Sequence, residues 1–150
     1  MDGITLRNAV AADQPAIRLN VVKNQLNPVD LRWQNFLVAT NENGQFIGCG
    51  QIKHHGKVQE LASLVVIDSY QGQGISRHLM DALMTRAGRP LWLMCESPLV
   101  GYYEQYGFKE AIVSTLPNYF QMVYWATRVP SALLSIFRGN YIAFMVCDDH

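Results

Sequence analysis

The chain contains two kinds of apolar pattern, which predict strands and helices. Continuous or alternating apolar runs predict β-strands at residues 4–10, 36–40, 46–54, 61–67, 91–95, 108–114 and 141–146. Apolar side chains three and four positions apart predict helices at residues 13–22, 75–88 and 99–106, with further helix between 116 and 137. The order strand, helix, strand over 61–95 favours a parallel pair, and the turn at 41–44 favours an antiparallel hairpin. The sequence therefore predicts an α/β fold with a mixed sheet.

Composition and charge narrow the class of protein. The chain has 150 residues, of which 49% are hydrophobic, enough to bury the core of one compact domain over residues 1–150. Twelve Lys and Arg residues balance twelve Asp and Glu residues, so the formal net charge is zero. A dedicated nucleic-acid-binding protein usually carries a basic excess, so we expect no nucleic-acid partner.

The cysteines and the apolar segments predict a cytoplasmic protein without metal. Each cysteine lies in a predicted strand, which favours buried free thiols, at Cys49, Cys95 and Cys147. No C-x-x-C or H-x-x-x-H spacing is present, so we expect no metal site. The N-terminal residues lack a basic-then-apolar signal pattern, and polar residues at 138–140 interrupt the apolar region 132–146. We therefore expect no membrane partner and no membrane span.

The most informative stretch follows the predicted strand at 61–67. A short polar turn leads into Q-G-Q-G-I-S, residues 71–76, and a helical pattern follows directly. Glycine adopts backbone conformations that other residues avoid, and the N–H groups of a helix's first turn favour an anion. This arrangement predicts a phosphate ligand. The strings G-x-G-x-x-G and G-x-x-x-x-G-K-S/T are both absent, which argues against the usual dinucleotide and P-loop motifs.

The turn resembles the acyl-CoA-binding motif of the GNAT family of N-acetyltransferases. The family pattern Q/R-x-x-G-x-G/A is met by Gln71 and Gly74, with Ser76 in the last position. The family places this motif after an L-x-V strand, and residues 64–66 (L-V-V) supply that strand. The plainer interpretation is a glycine-bearing turn with a solvated surface.

A second motif carries the same resemblance. The string G-Y-Y-E-Q-Y-G-F, residues 101–108, is similar to the family signature aromatic-Tyr-Glu-Lys-aliphatic-Gly-Phe. Tyr103 falls on the tyrosine, and Gly107 and Phe108 fall on the closing pair. One predicted helix and one predicted strand separate the two motifs, as in the family. The resemblance implies a single GNAT-like acyl-CoA N-acyltransferase domain, to which this chain adds a helical insertion before its last strand.

The resemblance implies acetyl-CoA as co-substrate. Backbone groups of the strand would pair with the pantetheine amides, and the turn would enclose the pyrophosphate mainly through N–H groups. The residues implied in this binding are Leu64, Val65, Val66, Gln71, Gly72, Gln73, Gly74, Ile75, Ser76 and Arg77. Arg77 would add a charge-assisted contact. Ser76 also has a plainer interpretation, as the N-terminal capping residue of the helix.

The resemblance further implies direct transfer of an acetyl group to an amine, without a covalent enzyme intermediate. Tyr103 would protonate the leaving thiolate, for which a phenol with an ordinary pKa near 10 suffices. Glu60 would take the proton of the amine directly or through water, and Glu96 is the second candidate. The plainer interpretations are a tyrosine with its hydroxyl at the surface and a strand-end carboxylate in solvent.

Neighbouring side chains bear on these assignments. Tyr102 and Tyr106 share one helix face, which separates them from Tyr103. Even spacing places Glu60 on the same strand face as residues 62, 64 and 66.

The two adjacent histidines and the aromatic region are harder to assign. His54 and His55 point to opposite sides of a strand, so at most one can reach a pocket, and we expect a turn-edge position for each. Phe120, Val123, Tyr124 and Phe137 either cover the sheet or line the acceptor pocket, and aromatic stripes at helical spacing favour the first.

The acceptor is left open by the sequence. The aromatic region could narrow the groove and favour a small-molecule amine. A protein N-terminus or lysine is the alternative acceptor. A domain that binds acyl-CoA without catalysis, as a sensor or structural unit, is the alternative from a different class. A homodimer through the last strand, 141–146, is a further possibility.

Overall fold

The computed structural model describes residues 2–133 and 140–148, with the backbone alone for 128–133. Within these residues the helices are α1 (Gln14–Lys23), α2 (Ile75–Arg86), α3 (Val100–Glu104) and α4 (Asn118–Leu133). The strands are β1 (Thr5–Asn8), β2 (Phe36–Thr40), β3 (Phe46–His55), β4 (Val58–Val66), β5 (Leu91–Glu96), β6 (Lys109–Glu110) and β7 (Ile142–Cys147).

The strands hydrogen-bond in the order β1-β2-β3-β4-β5-β7-β6. β4 and β5 are parallel, with Gln59 and Glu60 opposite Leu91 and Trp92. The pairs β1–β2, β2–β3, β5–β7 and β6–β7 are antiparallel. The predicted mixed sheet, including the parallel pair and the hairpin, is therefore confirmed.

The described chain divides into two compact units, and the first comprises residues 2–53 and Leu61–Gly88. Its helix α2 buries one apolar stripe, which consists of Ile75, Leu79, Met80 and Leu83. A buried cluster from α1, from strands β2, β3 and β4 and from two loop positions forms a core of this unit: Ala9, Ile17, Val21, Leu31, Phe36, Val38, Cys49 and Val65. Burial of these side chains supplies the main favourable free energy of this unit.

Two glycines of β3 have close neighbours in this first unit. A Cβ atom built on Gly48 would lie 2.8 Å from the backbone oxygen of Val65, and one on Gly50 would lie 2.6 Å from Cδ1 of Leu83. Both distances are shorter than real Cβ contacts, so a side chain at either position would displace its neighbour. The glycines therefore allow β4 and α2 to approach β3 closely.

The second unit comprises His54–Glu60 and the described residues from 89 onward. Its core consists of Trp92, Leu116, Phe120 and Phe144, with partly buried side chains of α4 packed around it. Phe120 is fully buried, and Val123 and Tyr124 are among the side chains that pack on the core. These contacts support the interpretation that the aromatic stripe covers the sheet. Phe137 lies outside the described residues.

One predicted strand of the second unit differs from the structure, and the insertion, which the sequence predicts as one kinked helix or two helices, is a single helix within the described residues. The strand expected at 108–114 is wrong in length, because β6 covers only Lys109–Glu110 and a 3₁₀ turn follows at Val113–Thr115. The hydroxyl of Thr115 donates to the carbonyl of Ile112 at 2.8 Å, and such local bonds compete with strand pairing. The insertion expected between 116 and 137 is one helix, α4, as far as Leu133, and residues 134–137 lie outside the described part.

Candidate active site

The glycine turn, residues 71–76, joins β4 to α2 in the first unit. Gly72 and Gly74 adopt left-handed backbone conformations with φ of +75° and +81°. Gly74 is the N-cap residue of α2, and Ile75 directly after it is buried. A residue with a Cβ atom pays about 1–2 kcal/mol in this region of backbone space. The two glycines therefore set the path by which the chain enters the helix.

Side-chain amides fasten this turn to the end of β4. The Nε2 group of Gln71 donates to the carbonyl oxygen of Val66 at 3.0 Å and to the carboxylate of Asp68 at 3.3 Å. Gln73 donates to the carbonyl of Ser69 at a longer 3.4 Å. The Gln71 contacts tie the first residue of the motif to the last residue of the strand. The Val66 carbonyl, for which the resemblance implies pairing with pantetheine, already accepts one of these bonds.

The first turn of α2 gives the glycine turn its electrostatic character. The N–H group of His78 donates to the carbonyl of Gly74 at 3.2 Å, so the amides of residues 75–77 precede the first intrahelical bond. The helix dipole adds positive potential at this end, and the exposed Arg77 adds a formal charge. Ser76 is the second helical residue, so its interpretation as the N-cap is wrong. This combination of amides, dipole and guanidinium suits a pyrophosphate.

The pleat of β4 is interrupted at Ser63. This residue has a φ of +56° within a strand, and its hydroxyl accepts a hydrogen bond from the Nε2 group of Gln51 at 2.9 Å. A left-handed residue in a strand breaks the alternation of faces. The expectation that Glu60 shares a face with residues 64 and 66 is therefore not supported, since Ser63 lies between them, whereas residue 62 precedes the irregularity. Downstream, Val65 and Val66 are buried.

Glu60 lies in the second unit, near the start of β4. Its side chain is 3% exposed, and its Oε2 atom lies 2.6 Å from Nε2 of His55, at the end of β3. The His55 ring stacks on Tyr119 of α4, with ring centroids 3.5 Å apart and planes at 13°. A buried carboxylate needs such a partner because burial without one is costly. The interpretation of Glu60 as a solvated strand-end carboxylate is therefore wrong.

His55 is the site residue that the sequence analysis missed. We expected it at a solvated turn edge, but its side chain is only 15% exposed and contacts Glu60. The turn at residues 56–57 is two residues long, with Gly56 at a φ of +64°. Such a hairpin places residue 55 opposite 58 and therefore on the same face as 60. The hairpin signal could have predicted the pair; the neighbouring His54 is exposed.

Tyr103 lies on α3 of the second unit and is partly buried. Its ring meets Phe108 edge to face, with centroids 6.2 Å apart. Burial raises the pKa of Tyr103 above its ordinary value, and the neighbouring Cys95 adds to the shift. The expectation of an ordinary phenol pKa is therefore wrong, and the group stays protonated at physiological pH. The hydroxyls of Tyr102 and Tyr106 lie 3.4 Å apart, and the Tyr102 ring also meets the Tyr103 ring edge to face with centroids 5.1 Å apart. Tyr106 lies beyond the end of α3, so helical spacing does not separate the three tyrosines.

Glu96 and the cysteines occupy different environments. Glu96 ends β5 opposite Ile142 and is exposed. The three cysteines are free and buried, and burial raises the pKa of Cys49 to about 12 and that of Cys95 to about 11. Among the described residues, no cluster of three His, Cys, Asp or Glu side chains could hold a metal ion. No helix in the described ranges has the length and apolar character needed to cross a membrane.

The fold and the two motifs belong to one known family. Residues 32–110, more than half of the chain, match the acetyltransferase (GNAT) domain family. The chain therefore belongs to the GNAT acetyltransferase family, and the resemblance drawn from its two motifs is confirmed. No curated protein sequence matches the chain.

Solved structures with the same fold include enzymes bound to coenzyme A. N-acetylglutamate synthase from Neisseria gonorrhoeae, complexed with coenzyme A and N-acetyl-glutamate, superposes with a TM-score of 0.78 at 18% identity; the match covers 100% of this chain but only 36% of that chain. Rv2747 from Mycobacterium tuberculosis, in complex with CoA, gives 0.72 at 20% identity, over 97% of this chain and 99% of that one.

A GNAT-family acetyltransferase from Staphylococcus aureus Mu50 gives a TM-score of 0.65 at 16% identity, over 97% of this chain and 98% of that one. At these identities the similarity establishes the fold alone, and it confirms the predicted fold class. The chain spans about a third of the length of the gonococcal synthase.

Proposed function

We propose that this chain is an N-acetyltransferase that moves an acetyl group from acetyl-CoA to an amine by direct attack. The observation that carries the proposal is the glycine turn, in which Gly72 and Gly74 both adopt the left-handed conformation directly before α2. The match of residues 32–110 to the acetyltransferase domain family supports it. Bound acetyl-CoA would supply an activated thioester.

The proposed acetyl-CoA site combines backbone and side-chain groups of the first unit. The amides that open α2 bind the pyrophosphate, and Arg77 adds a charge-assisted contact. The backbone of residues 64–66 pairs with the pantetheine amides in the manner of an added strand. The carbonyl of Val66 retains a second lone pair beside the bond from Gln71. Residues 71–77 and 64–66 are thus assigned to cofactor binding.

Tyr103 is the proposed acid. Its raised pKa keeps the proton on the phenol at physiological pH, so a proton is available when the CoA thiolate leaves. The same shift makes the phenol a weaker acid, and the developing thiolate charge must offset that cost. Phe108 holds the ring edge to face, which limits the positions that the hydroxyl samples.

Glu60 is the carboxylate proposed to drive loss of the amine's proton, either directly or through an intervening group. An ammonium has no lone pair, so one proton must leave before the nitrogen attacks the thioester. Burial and the contact with His55 distinguish Glu60 from a surface carboxylate. Glu96 is the alternative base. It is exposed at the end of β5, whereas Glu60 is buried beside His55.

Direct transfer is favoured over a thioester on the enzyme. A thiolate is the nucleophilic form of cysteine, and burial raises the pKa of both Cys49 and Cys95 well above the working pH. The rate would then come mainly from holding amine and thioester together, with effective molarities that reach about 10⁵ M or more.

A small-molecule amine is the proposed acceptor. The gonococcal synthase was solved with N-acetyl-glutamate, so a free amino acid is the first compound to test. Two alternatives come from other classes of function: acetylation of a protein N-terminus or lysine, and acyl-CoA binding without catalysis. The proposal also includes a cytoplasmic location, which the three free thiols support, a single acetyltransferase domain over residues 1–150, and possible homodimers.

The test is an acetylation panel read by mass spectrometry. Purified protein and acetyl-CoA are incubated with L-glutamate, L-glutamine, spermidine, and peptides carrying a free N-terminus or a lysine. The proposal predicts acetylation of at least one free small amine, faster than that of any peptide. Faster acetylation of peptides would favour the protein-acetyltransferase alternative. Tight acetyl-CoA binding without transfer to any amine would favour a domain that binds acyl-CoA without catalysis, and it would overturn the proposed acetyltransferase activity.

A further inference from the structure

In the Glu60–His55 pair, the imidazole is more exposed to solvent than the carboxylate. The carboxylate side chain is 3% exposed and the imidazole 15%. An amine approaching from solvent would meet the ring more readily than the carboxylate oxygens. The 2.6 Å contact joins Oε2 to Nε2, so Nδ1 is the ring nitrogen that points away from the carboxylate.

The carboxylate also fixes which nitrogen carries the proton. An ionised Glu60 would only accept hydrogen bonds, which would make Nε2 the donor in this pair. The neutral ring then has its lone pair on Nδ1. A neutral imidazole with its free lone pair directed away from a buried carboxylate is the arrangement of a general base with an orienting partner.

Two aromatic residues of α4 pack against the His55 ring. Tyr119 stacks on one face at a centroid distance of 3.5 Å, and Phe120 meets the ring edge to face at 6.2 Å. Phe120 is itself packed on Trp92 and Phe144. These contacts restrain rotation of the ring about its bonds. The ring keeps its contact with Glu60 through Nε2 and remains 15% exposed.

We infer that His55 takes the proton from the acceptor amine and that Glu60 acts through it as a positioning residue. This inference rests on the proposed acetyl transfer and names the group that performs its first step. A structural pair, which would only satisfy the buried carboxylate, is the competing explanation for the same contact.

The step balances as follows for an amine that arrives as an ammonium. One N–H bond of the ammonium breaks, and its proton forms a bond to Nδ1 while Nε2–H stays donated to Glu60. The freed lone pair attacks the thioester carbon, the C–S bond breaks, and the thiolate takes the proton of Tyr103. Amide formation releases a second proton from the nitrogen, which restores Tyr103 through solvent. The imidazolium returns its proton to solvent.

The test compares the kcat of His55→Ala, His55→Gln and the matched control His54→Ala. The substrate is the amine that the wild-type protein acetylates fastest in the panel. His55→Gln retains a group that can bond Glu60 but offers no base. We expect kcat to fall about 10²-fold or more in both His55 variants, with the acetyl-CoA dissociation constant unchanged. Added imidazole should restore part of the rate of His55→Ala in proportion to its concentration. His54→Ala should keep the wild-type kcat.

Several outcomes would overturn the inference. Wild-type kcat in His55→Gln, alongside an inactive Glu60→Gln, would mean that Glu60 works without His55, and the proposed function would stand. Loss of activity in His55→Ala without imidazole rescue would assign His55 a structural role. A wild-type protein that acetylates none of the amines would remove the proposed function and this inference together.

A second measurement does not depend on the acceptor. Long-range ¹H–¹⁵N spectra of the wild-type protein report which nitrogen of each histidine carries the proton. We expect His55 as the Nε2–H form, with that preference reduced in Glu60→Gln. A proton on Nδ1 in the neutral ring would overturn the inference, because no lone pair would then be available to the amine.

Discussion

The glycine turn and the Glu60–His55 pair are built in opposite ways. The turn consists of six consecutive residues, and its conformation comes from the backbone of Gly72 and Gly74. The pair joins side chains from two strands, and a stacked ring from α4 holds it. Binding a phosphate requires N–H groups and a dipole, which any backbone supplies. Proton transfer requires titratable side chains, which only particular residues supply.

Because of this difference, different substitutions should separate acetyl-CoA binding from the chemical step. Changes in the glycine turn should weaken acetyl-CoA binding and leave the chemical step nearly intact. Changes at Glu60 or Tyr103 should slow the chemical step and leave acetyl-CoA binding intact. A substitution that alters both equally would erase the distinction.

Glu60→Gln should have the largest effect. The amide keeps the size of the side chain but cannot hold a charge, so kcat should fall about 10²- to 10⁴-fold. The acetyl-CoA dissociation constant, measured by calorimetry, should stay at the wild-type value. Glu96→Gln is the matched control and should remain close to wild type. If Glu96→Gln lost most of its kcat while Glu60→Gln stayed active, Glu96 at the end of β5 would be the base.

Tyr103→Phe comes next, because it removes the proposed acid and keeps the ring contact with Phe108. We expect kcat to fall about 10²-fold, with unchanged binding of acetyl-CoA. Tyr106→Phe is the control, since its hydroxyl meets Tyr102 instead. Because burial raises the pKa of Tyr103, ionisation of this group should not reduce the wild-type rate below about pH 10. An active Tyr103→Phe would leave Tyr103 with a packing role alone.

Gly74→Val should act on binding. The left-handed φ of +81° costs a side-chain-bearing residue about 1–2 kcal/mol. The free turn should relax away from this conformation, and binding must then restore it, so we expect the acetyl-CoA dissociation constant to rise by about tenfold. Gly44→Val is the matched control, because Gly44 also has a left-handed φ, of +75°, and nothing within 4 Å of an added Cβ. Both variants should lose similar stability in denaturant unfolding, but only Gly74→Val should lose affinity.

Gln71→Ala should have the smallest effect. It removes the bonds to the Val66 carbonyl and the Asp68 carboxylate, each worth about 0.5–1.5 kcal/mol. The acetyl-CoA dissociation constant should therefore rise about 2- to 10-fold. Gln73→Ala, whose amide makes only a 3.4 Å contact with the Ser69 carbonyl, should bind nearly as the wild type. Equal losses in the two variants would mean that the tie to β4 does not matter.

Local signals were sufficient for most of the fold and for the glycine turn. The strand at 61–67, the glycines and the apolar stripe of α2 are contiguous, so periodicity and turn chemistry predict them together. The Lys109–Glu110 strand shows where such signals fail. Its apolar continuation to Ser114 has the pattern of a strand, but the Thr115 hydroxyl bond to Ile112 and the following turn end the pairing early.

The Glu60–His55 pair was harder to predict because it depends on register and burial. Residues 55 and 60 become neighbours only through the two-residue turn between β3 and β4, and Tyr119 reaches them from a helix far along the chain. The left-handed Ser63 breaks the alternation from which the face of Glu60 was deduced. The pKa of Tyr103 likewise depends on desolvation by tertiary packing, which residue identity does not reveal.

The measurement that tests the account most directly is calorimetric titration of three proteins with acetyl-CoA, with NADH as the control ligand. The account predicts micromolar binding of acetyl-CoA by the wild type and by Glu60→Gln, binding about tenfold weaker by Gly74→Val, and no binding of NADH. Absence of acetyl-CoA binding by the wild type, or equal losses in the two variants, would contradict the separation of cofactor binding from proton transfer.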